Sequence, residues 1–407
     1  MAVCLVRSAR LSARIALITL GFALAGCTGA SSEATTTAVT TPESTSDTTP
    51  RDLPTTTTSL PIEPPDHRIG VRVIDGQGEF YEIATGERFI PRGMNYNRWV
   101  TPVNGAIADD VLTTDHYDPI TVDADFAEME ALGFNTIRIL IDNCNPSSGC
   151  SGTGPDGPDV NPGYLDNLAD FLRIAGEHGM VVLVGSNTLP DDSWWIQETA
   201  RRQDDFFQGS ANEFLNPESV PIYVDYWHQL VQGLADRGAH TENVLGYELR
   251  QEHYFWFTDA PLSRSDGLVT TANGQTYDLA IQEDKDRMID EGLTYWADLL
   301  RDDIRSIDPT ALVTVGFFTP NYPNQVNGPD EQRQVRTAYF LRNSSVDFVD
   351  LHHYPGNGVD NDDIWENFGI AGAESMPLLL GEYGAIREWF PNSAAGGAAV
   401  EGLEVEA

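Results

Sequence analysis

Two glutamates stand out because each comes directly after an apolar run. Glu382 closes Pro377-Leu378-Leu379-Leu380-Gly381-Glu382-Tyr383-Gly384, and Glu252 follows Val244-Leu245-Gly246-Tyr247-Glu248-Leu249-Arg250-Gln251. A carboxylate at the mouth of a buried strand is costly unless it has a task or a partner. Paired carboxylates in one cleft are what glycosidic cleavage needs: one protonates the leaving oxygen while the other attacks the anomeric carbon or activates water. Glu248 competes with Glu252 for the acid's role. Their spacing puts both on the same face of an extended strand, so periodicity does not choose between them. A salt-bridged structural carboxylate is the plain alternative for each.

The elements that must position these groups are short apolar runs alternating with amphipathic stretches. The runs are Phe89 to Met94, Thr136 to Ile141, Met180 to Gly185, Val244 to Leu249, Leu312 to Phe317, Phe348 to Leu351 and Leu378 to Gly381. Continuous apolarity marks strands buried on both faces, as in a parallel sheet. Helices are expected from about Asp123 to Leu132, from Asn161-Pro162 through Leu165, Leu168, Leu172 and Ala175, around Trp227, Leu230, Val231 and Leu234, and from about Ile281 to Ile307. Asn161 reads as a cap with proline at the first helical position. Repeated strand and helix units argue an α/β fold, either a barrel or a doubly wound sheet. A doubly wound sheet usually carries a glycine-rich turn after its first strand, and none appears. Strand after strand instead ends in polar or aromatic groups: Asn95-Tyr96, Asp142-Asn143, Ser186-Asn187, Gln251-Glu252, His352-His353-Tyr354 and Glu382-Tyr383. That pattern favours a (β/α)8 TIM barrel, with Glu252 and Glu382 facing each other across its mouth.

Over most of residues 85 to 388 the sequence resembles the retaining (β/α)8 glycoside hydrolases, and most closely glycoside hydrolase family 5, the cellulase family. The resemblance rests on Arg92-Gly93-Met94-Asn95, Leu132-Gly133-Phe134-Asn135-Thr136-Ile137-Arg138, His178-Gly179-Met180, Glu248-Leu249-Arg250-Gln251-Glu252, His352-His353-Tyr354 and Gly381-Glu382-Tyr383-Gly384. It implies that Glu252 is the acid/base and Glu382 the nucleophile, with Arg138 beside the nucleophile, Tyr354 donating a hydrogen bond to it, and His352 lining the sugar subsite. Asn95 is a further substrate-binding candidate at the end of the first strand. Two departures stand out. Gln251 replaces the asparagine usual before the acid/base, which keeps the amide but adds a methylene, and Gly185-Ser186-Asn187 replaces a third-strand end that often carries histidine. Arg138 has a plain alternative as the partner of a structural acid.

Aromatic residues gather near strand ends, among them Trp99, Trp194, Trp195 and Trp256. Sugar rings pack their C–H faces on aromatic planes, so Trp194, Trp195 and Trp256 are candidate platforms, against the alternative of loop packing. No ligand cluster of metal-site spacing appears, so no metal and no cofactor are expected.

Arg7, Arg10 and Arg14 precede the apolar run Ile15 to Ala25, which ends in Leu24-Ala25-Gly26-Cys27. The run is too short to span a membrane, and small residues before cysteine resemble a bacterial lipobox. Residues 1–26 are therefore expected to be a lipoprotein signal peptide, with Cys27 the lipidated residue and the mature protein exported and anchored on the outside of the bacterial cell membrane by lipid alone. Residues 27–65 are rich in Thr, Ser and Pro and read as a disordered tether. Residues 66–407 form the barrel domain. Cys144 and Cys150 flank a turn-rich loop in an oxidising compartment, so a local disulfide is expected.

The chain has 407 residues, 62 acidic against 24 basic, and a formal charge of −38, nearly all of it beyond the tether. Such a surface repels phosphate backbones, and Lys285 is the sole lysine, so no nucleic-acid partner is expected. The expected partner is a β-linked carbohydrate, favouring β-glucan or β-mannan, bound by a monomer. Alternatives are a non-catalytic carbohydrate-binding surface lipoprotein and a two-lobed solute-binding lipoprotein of an importer. After Glu382 the sequence runs into Ala394-Ala395-Gly396-Gly397-Ala398-Ala399-Val400, a candidate helix, and an acidic tail. The eighth strand is thus expected to be missing, from a shortened or frame-shifted C-terminus that would leave a sheet edge open.

Overall fold

The computed structural model describes residues 66–96, 111–142, 149–191, 193–323, 332–356, 359–386 and 389–406. The chain divides into the units Met1–Leu60 and Pro61–Ala407, and every described residue lies in the second. Among them no helix is long and apolar enough to cross a membrane.

The domain opens with an antiparallel sheet that the strand reading above passes over: β1 (Ile69–Ile74), β2 (Gln77–Glu82) and β3 (Arg88–Phe89). Asp75-Gly76 makes the first turn, both with positive φ (51° and 85°), as a two-residue hairpin of right-handed twist demands. This dipeptide is the signal that could have located the hairpin. Ile69, Phe80 and Phe89 from this sheet pack on Val181, Leu183, Leu245, Leu312 and Phe348, residues of the main strands or just before them.

Strands and helices then alternate: β4 (Gly93–Asn95), α1 (Pro119–Ala131), β5 (Thr136–Leu140), α2 (Pro162–Glu177) and β6 (Val181–Gly185). After α3 (Trp194–Arg201), α4 (Gly209–Leu215) and α5 (Val220–Asp236) comes β7 (Val244–Glu248). The later half holds β8 (Phe255–Trp256), the pair β9 (Leu268–Thr270) and β10 (Thr276–Asp278), α6 (Gln282–Ile307), β11 (Val313–Thr314) and β12 (Gly316–Phe317). It ends with β13 (Arg333–Gln334), α7 (Thr337–Asn343), β14 (Val349–His353), α8 (Asp363–Asn367), β15 (Leu378–Tyr383) and α9 (Ser393–Glu406). As expected, Asn161 caps α2 through Gly163 N–H with Pro162 at its first turn. Helix α1 starts earlier than its apolar spacing suggests, because Asp118-Pro119 supplies the same cap-and-proline signal.

The main strands run parallel in the order β11-β7-β6-β5-β4 and β12-β14-β15. The run Leu312 to Phe317, expected as one strand, is split at Val315: β11 pairs with β7 and β12 with β14. Gly316 N–H to Arg250 C=O and His253 N–H to Gly316 C=O bridge the break. Strands β5, β6, β7 and β14 are buried at every position, whereas β4 is exposed throughout and β15 is half-buried. Among the described residues no strand follows β15, and β4 and β15 are left as the outer strands. This is a (β/α) barrel architecture, not the two lobes of the importer alternative.

Candidate active site

The strands carry their chemistry at their C-terminal ends. Glu248 ends β7 and is wholly buried, while Glu252, beyond the strand, keeps 30% of its side-chain surface. The structure thereby separates two residues that periodicity could not. Glu252 has φ 47°, in the left-handed region that non-glycine residues avoid. Its neighbours hold it there: Gln251 N–H donates to Ser186 C=O at 2.8 Å and His253 N–H to Gly316 C=O at 2.8 Å. Strain of this kind persists only where the surroundings over-determine it, and it clusters at functional sites.

Arg138, on β5, is buried and organises the floor of the site. Its Nε and Nη2 donate to the two oxygens of Glu248 at 2.8 and 3.0 Å. Its Nη1 donates to Glu382 Oε1 at 2.6 Å and to Asn95 Oδ1 at 3.3 Å, and Nη2 also reaches Gln251 Oε1 at 3.1 Å. Glu382, on β15, accepts from Tyr354 Oη at 2.7 Å through its other oxygen. Burial alone would raise the Glu382 pKa, but His352, Arg138 and the Tyr354 hydroxyl outweigh it and hold it below the ordinary carboxylate value. Glu248 moves the other way: burial pushes it up to about 7 although Arg138 pulls it down.

His352, on β14, is fully buried, so its expected place lining a sugar subsite is corrected. Its Nδ1 lies 3.2 Å from Glu252 Oε1 and 3.6 Å from Glu382 Oε2, and its Nε2 lies 3.5 Å from Asp350 Oδ2. It therefore touches the carboxylates rather than the substrate space. Burial disfavours the imidazolium, yet Glu382, Asp350 and Glu252 together push its pKa up to about 10. Glu252, His352 and Glu382 each present one such atom within 4.8 Å of the others. Asp350, also wholly buried, escaped the sequence reading, although it sits two residues before His352 and so on the same face of the strand.

Trp195 also needs correction. It is fully buried, stacks edge-on against Tyr226 at 5.1 Å and donates from Nε1 to Asp225 at 2.8 Å, so no ring face is offered to a sugar. Trp194 is half-buried against the core, and Trp256 remains 36% exposed with Tyr254 edge-on at 5.2 Å. Gln251 and Tyr354 are half-buried and Asn95 is exposed. Cys150 is buried and is not a free thiol. Cys144, Cys27 and Trp99 lie outside the described residues.

No family model matches the chain, and no curated protein matches it. Solved structures do. The endo-1,4-β-mannanase from Rhizomucor miehei shares 16% identity over 83% of this chain and 86% of its own, with a TM-score of 0.54. The exo-β-1,4-mannosidase from Opitutaceae bacterium strain TAV5 shares 19% identity over 82% of this chain, with a TM-score of 0.50. The chain spans 53% of that enzyme's length. At these identities the likeness establishes the fold class, a (β/α)8 TIM barrel.

Proposed function

We propose that the protein is a retaining β-glycoside hydrolase in which Glu382 is the nucleophile and Glu252 the acid/base. The observation that carries this reading is the pair of carboxylates approaching within 4.8 Å at the barrel mouth, only one of them gripped by a buried arginine. Such closeness suits direct attack rather than an interposed water, since retaining enzymes hold their carboxyl groups about 5–5.5 Å apart and inverting ones about 6.5–9.5 Å. In the first step an oxygen of Glu382 bonds to the anomeric carbon while the bond to the leaving sugar breaks and Glu252 gives its proton to the departing oxygen. In the second, Glu252 takes a proton from water, whose oxygen displaces Glu382. The Arg138 and Tyr354 hydrogen bonds favour the ionised nucleophile that the first step requires. With its carbonyl oxygen engaged by Arg138, Gln251 offers its amide N–H groups to a sugar hydroxyl.

The substrate is a β-linked polysaccharide or its oligosaccharides. β-Mannan comes before β-glucan, because the two solved barrels described above are named for β-1,4-mannoside cleavage. The signal ending at Cys27 and the tether that follows support display of this domain from a lipid anchor outside the cell membrane, and the turn-rich spacing supports a Cys144–Cys150 disulfide. The test is turnover of mannan, glucan and xylan and of aryl β-glycosides by the wild type, Glu252→Gln and Glu382→Gln. Turnover by the wild type alone is expected. Equal turnover in the variants sinks the residue assignment, and sugar binding without turnover in the wild type favours the non-catalytic carbohydrate-binding alternative.

A further inference from the structure

We propose that Glu248 and Asp350 are positioning residues that hold, from beneath the site, the two side chains serving Glu382: Glu248 fixes the guanidinium of Arg138, and Asp350 the imidazole of His352. The proposal takes its functional meaning from the reading of Glu382 as nucleophile.

Both carboxylates are wholly buried in the barrel. Burying an ion costs several kcal/mol even after relaxation, and well-packed apolar residues commonly serve stability as well or better. Here the neighbouring strands make room for the charges. A Cβ added at Gly185 would lie 2.5 Å from Glu248 Oε2, and one at Gly316 would lie 2.2 Å from Glu248 Oε1. A Cβ at Gly381 would lie 2.2 Å from both oxygens of Asp350, whose Oδ1 accepts the Gly381 N–H at 2.7 Å. No real side chain tolerates such distances, so each carboxylate occupies space that a glycine leaves open.

What the carboxylates do there follows from the directions of their contacts, which are hydrogen bonds from Arg138 for Glu248 and longer ion-pair approaches for Asp350 Oδ2. The bidentate grip of Glu248 uses Nε and Nη2 of Arg138 and leaves Nη1 aimed at Glu382, 2.6 Å away. Asp350 Oδ2 lies between the two cationic groups, 3.7 Å from Arg138 Nε and 3.5 Å from His352 Nε2. With Nε2 turned toward Asp350, the opposite nitrogen of the ring faces Glu252 and Glu382. The charged and titratable groups facing one another are thus Glu248, Asp350, Arg138, His352, Glu252 and Glu382, with the Tyr354 hydroxyl on Glu382. In Glu248→Gln one amide N–H would oppose an arginine N–H, so the fork turns and Glu382 loses its closest cation.

The test uses the full chain with Glu248→Gln and Asp350→Asn, beside Gly185→Ala and Gly381→Ala, which keep every charge and press chiefly on the carboxylates, the nearest atom of another residue being Leu140 Cδ2, 3.2 Å from a Cβ at Gly185. On an aryl β-mannoside or β-glucoside, kcat is expected to fall on the order of 100-fold, as for angstrom-scale misplacement of reacting groups, with KM nearly unchanged. The acid limb of kcat/KM should move up by about one pH unit as Glu382 loses its cationic support. By 15N NMR, the slowly exchanging Arg138 Nε–H should disappear in Glu248→Gln and Gly185→Ala. The His352 ring should lose its proton at lower pH in Asp350→Asn and Gly381→Ala than in the wild type. Where a charge-removing variant fails to fold, its glycine counterpart decides. A lowered Tm with unchanged kcat, pH profile and NMR signatures overturns the proposal, since a purely structural role moves only stability. The NMR measurements need no turnover, so a wild type that cleaves no β-linked sugar would defeat the functional reading and still leave the positioning decided.

Discussion

Glu252 and Glu382 bring carboxylate oxygens within 4.8 Å of each other, and one nitrogen of His352 faces both. If Glu382 forms a covalent glycosyl intermediate, the two glutamates should respond differently to an added small nucleophile. Glu382→Ala with azide and an activated aryl β-glycoside should yield the α-glycosyl azide, because azide attacks from the vacated face. Glu252→Ala should still form the intermediate and yield the β-glycosyl azide. Proton NMR of the products distinguishes them. An α-azide from both variants would remove the double displacement.

The left-handed backbone at Glu252 makes a separate prediction about stability. A non-glycine residue pays roughly 1–2 kcal/mol in that region, and glycine pays no such steric cost. Glu252→Gly should therefore unfold at higher denaturant than Glu252→Ala, by about 1 kcal/mol after the entropy that glycine loses on folding. Both should be inactive toward unactivated substrates. Equal stability of the two would mean that the backbone relaxes freely and that Gln251 and His253 do not enforce the turn.

How far the sequence reaches depends on the kind of signal. Buried strands were legible because runs such as Val181 to Gly185 are apolar without interruption, and α2 because Asn161-Pro162 declares its start. The split at Val315 was not legible, since a strand that changes partners looks the same as one that does not. Glu248 and Glu252 share a period and differ only in what surrounds them, which becomes visible once Arg138 is seen holding Glu248. Trp194 and Trp195 are adjacent and chemically identical, yet helix α3 turns one into the core. His352 stood out as a site residue, but its partner Asp350 lacked any motif of its own.

His352 gives the stability a pH dependence of definite sign. Its folded pKa, about 10, lies above the ordinary 6.5 because the surrounding carboxylates outweigh burial. A group raised on folding contributes stability that is fully present below its unfolded pKa and is lost as pH rises through its folded pKa. Glu382 has the opposite sign: its depressed pKa contributes above the ordinary 4.5 and is lost in acid. Urea midpoints should fall between about pH 7 and about pH 10 in the wild type, and fall less in His352→Gln. Parallel declines would show that the imidazole is not charged in the folded protein.

The tryptophans divide by burial. Trp195→Ala should cost about 3–5 kcal/mol, the usual penalty for emptying a large core site, and it leaves Gln229 as the remaining hydrogen-bond donor to Asp225 Oδ2. Trp256→Ala should change stability by no more than about 0.5 kcal/mol and raise KM for oligosaccharides roughly tenfold, with short aryl glycosides little affected. Denaturation and kinetics on the same two proteins check both halves. A Trp256→Ala enzyme with unchanged KM would assign that ring to packing against Tyr254.

Hydrogen exchange should reveal how unevenly the barrel is held. Strand β6 is buried at every position and hydrogen-bonded to β5 and β7, so its amides open only with the whole domain. Among the described residues, strand β15 is half-buried and pairs with β14 alone, and β4 is exposed and pairs with β5 alone. Their amides should exchange through local opening, faster than those of β6 by orders of magnitude, because each kcal/mol between local and global opening changes the rate about fivefold. Glu382 sits on β15, and its hold on Arg138 and Tyr354 must restrain that edge. Glu382→Gln should therefore speed exchange in β15 more than in β6. Equal protection of β15 and β6 in the wild type would mean that a further strand, from outside the described residues or from a second copy, covers that edge in solution.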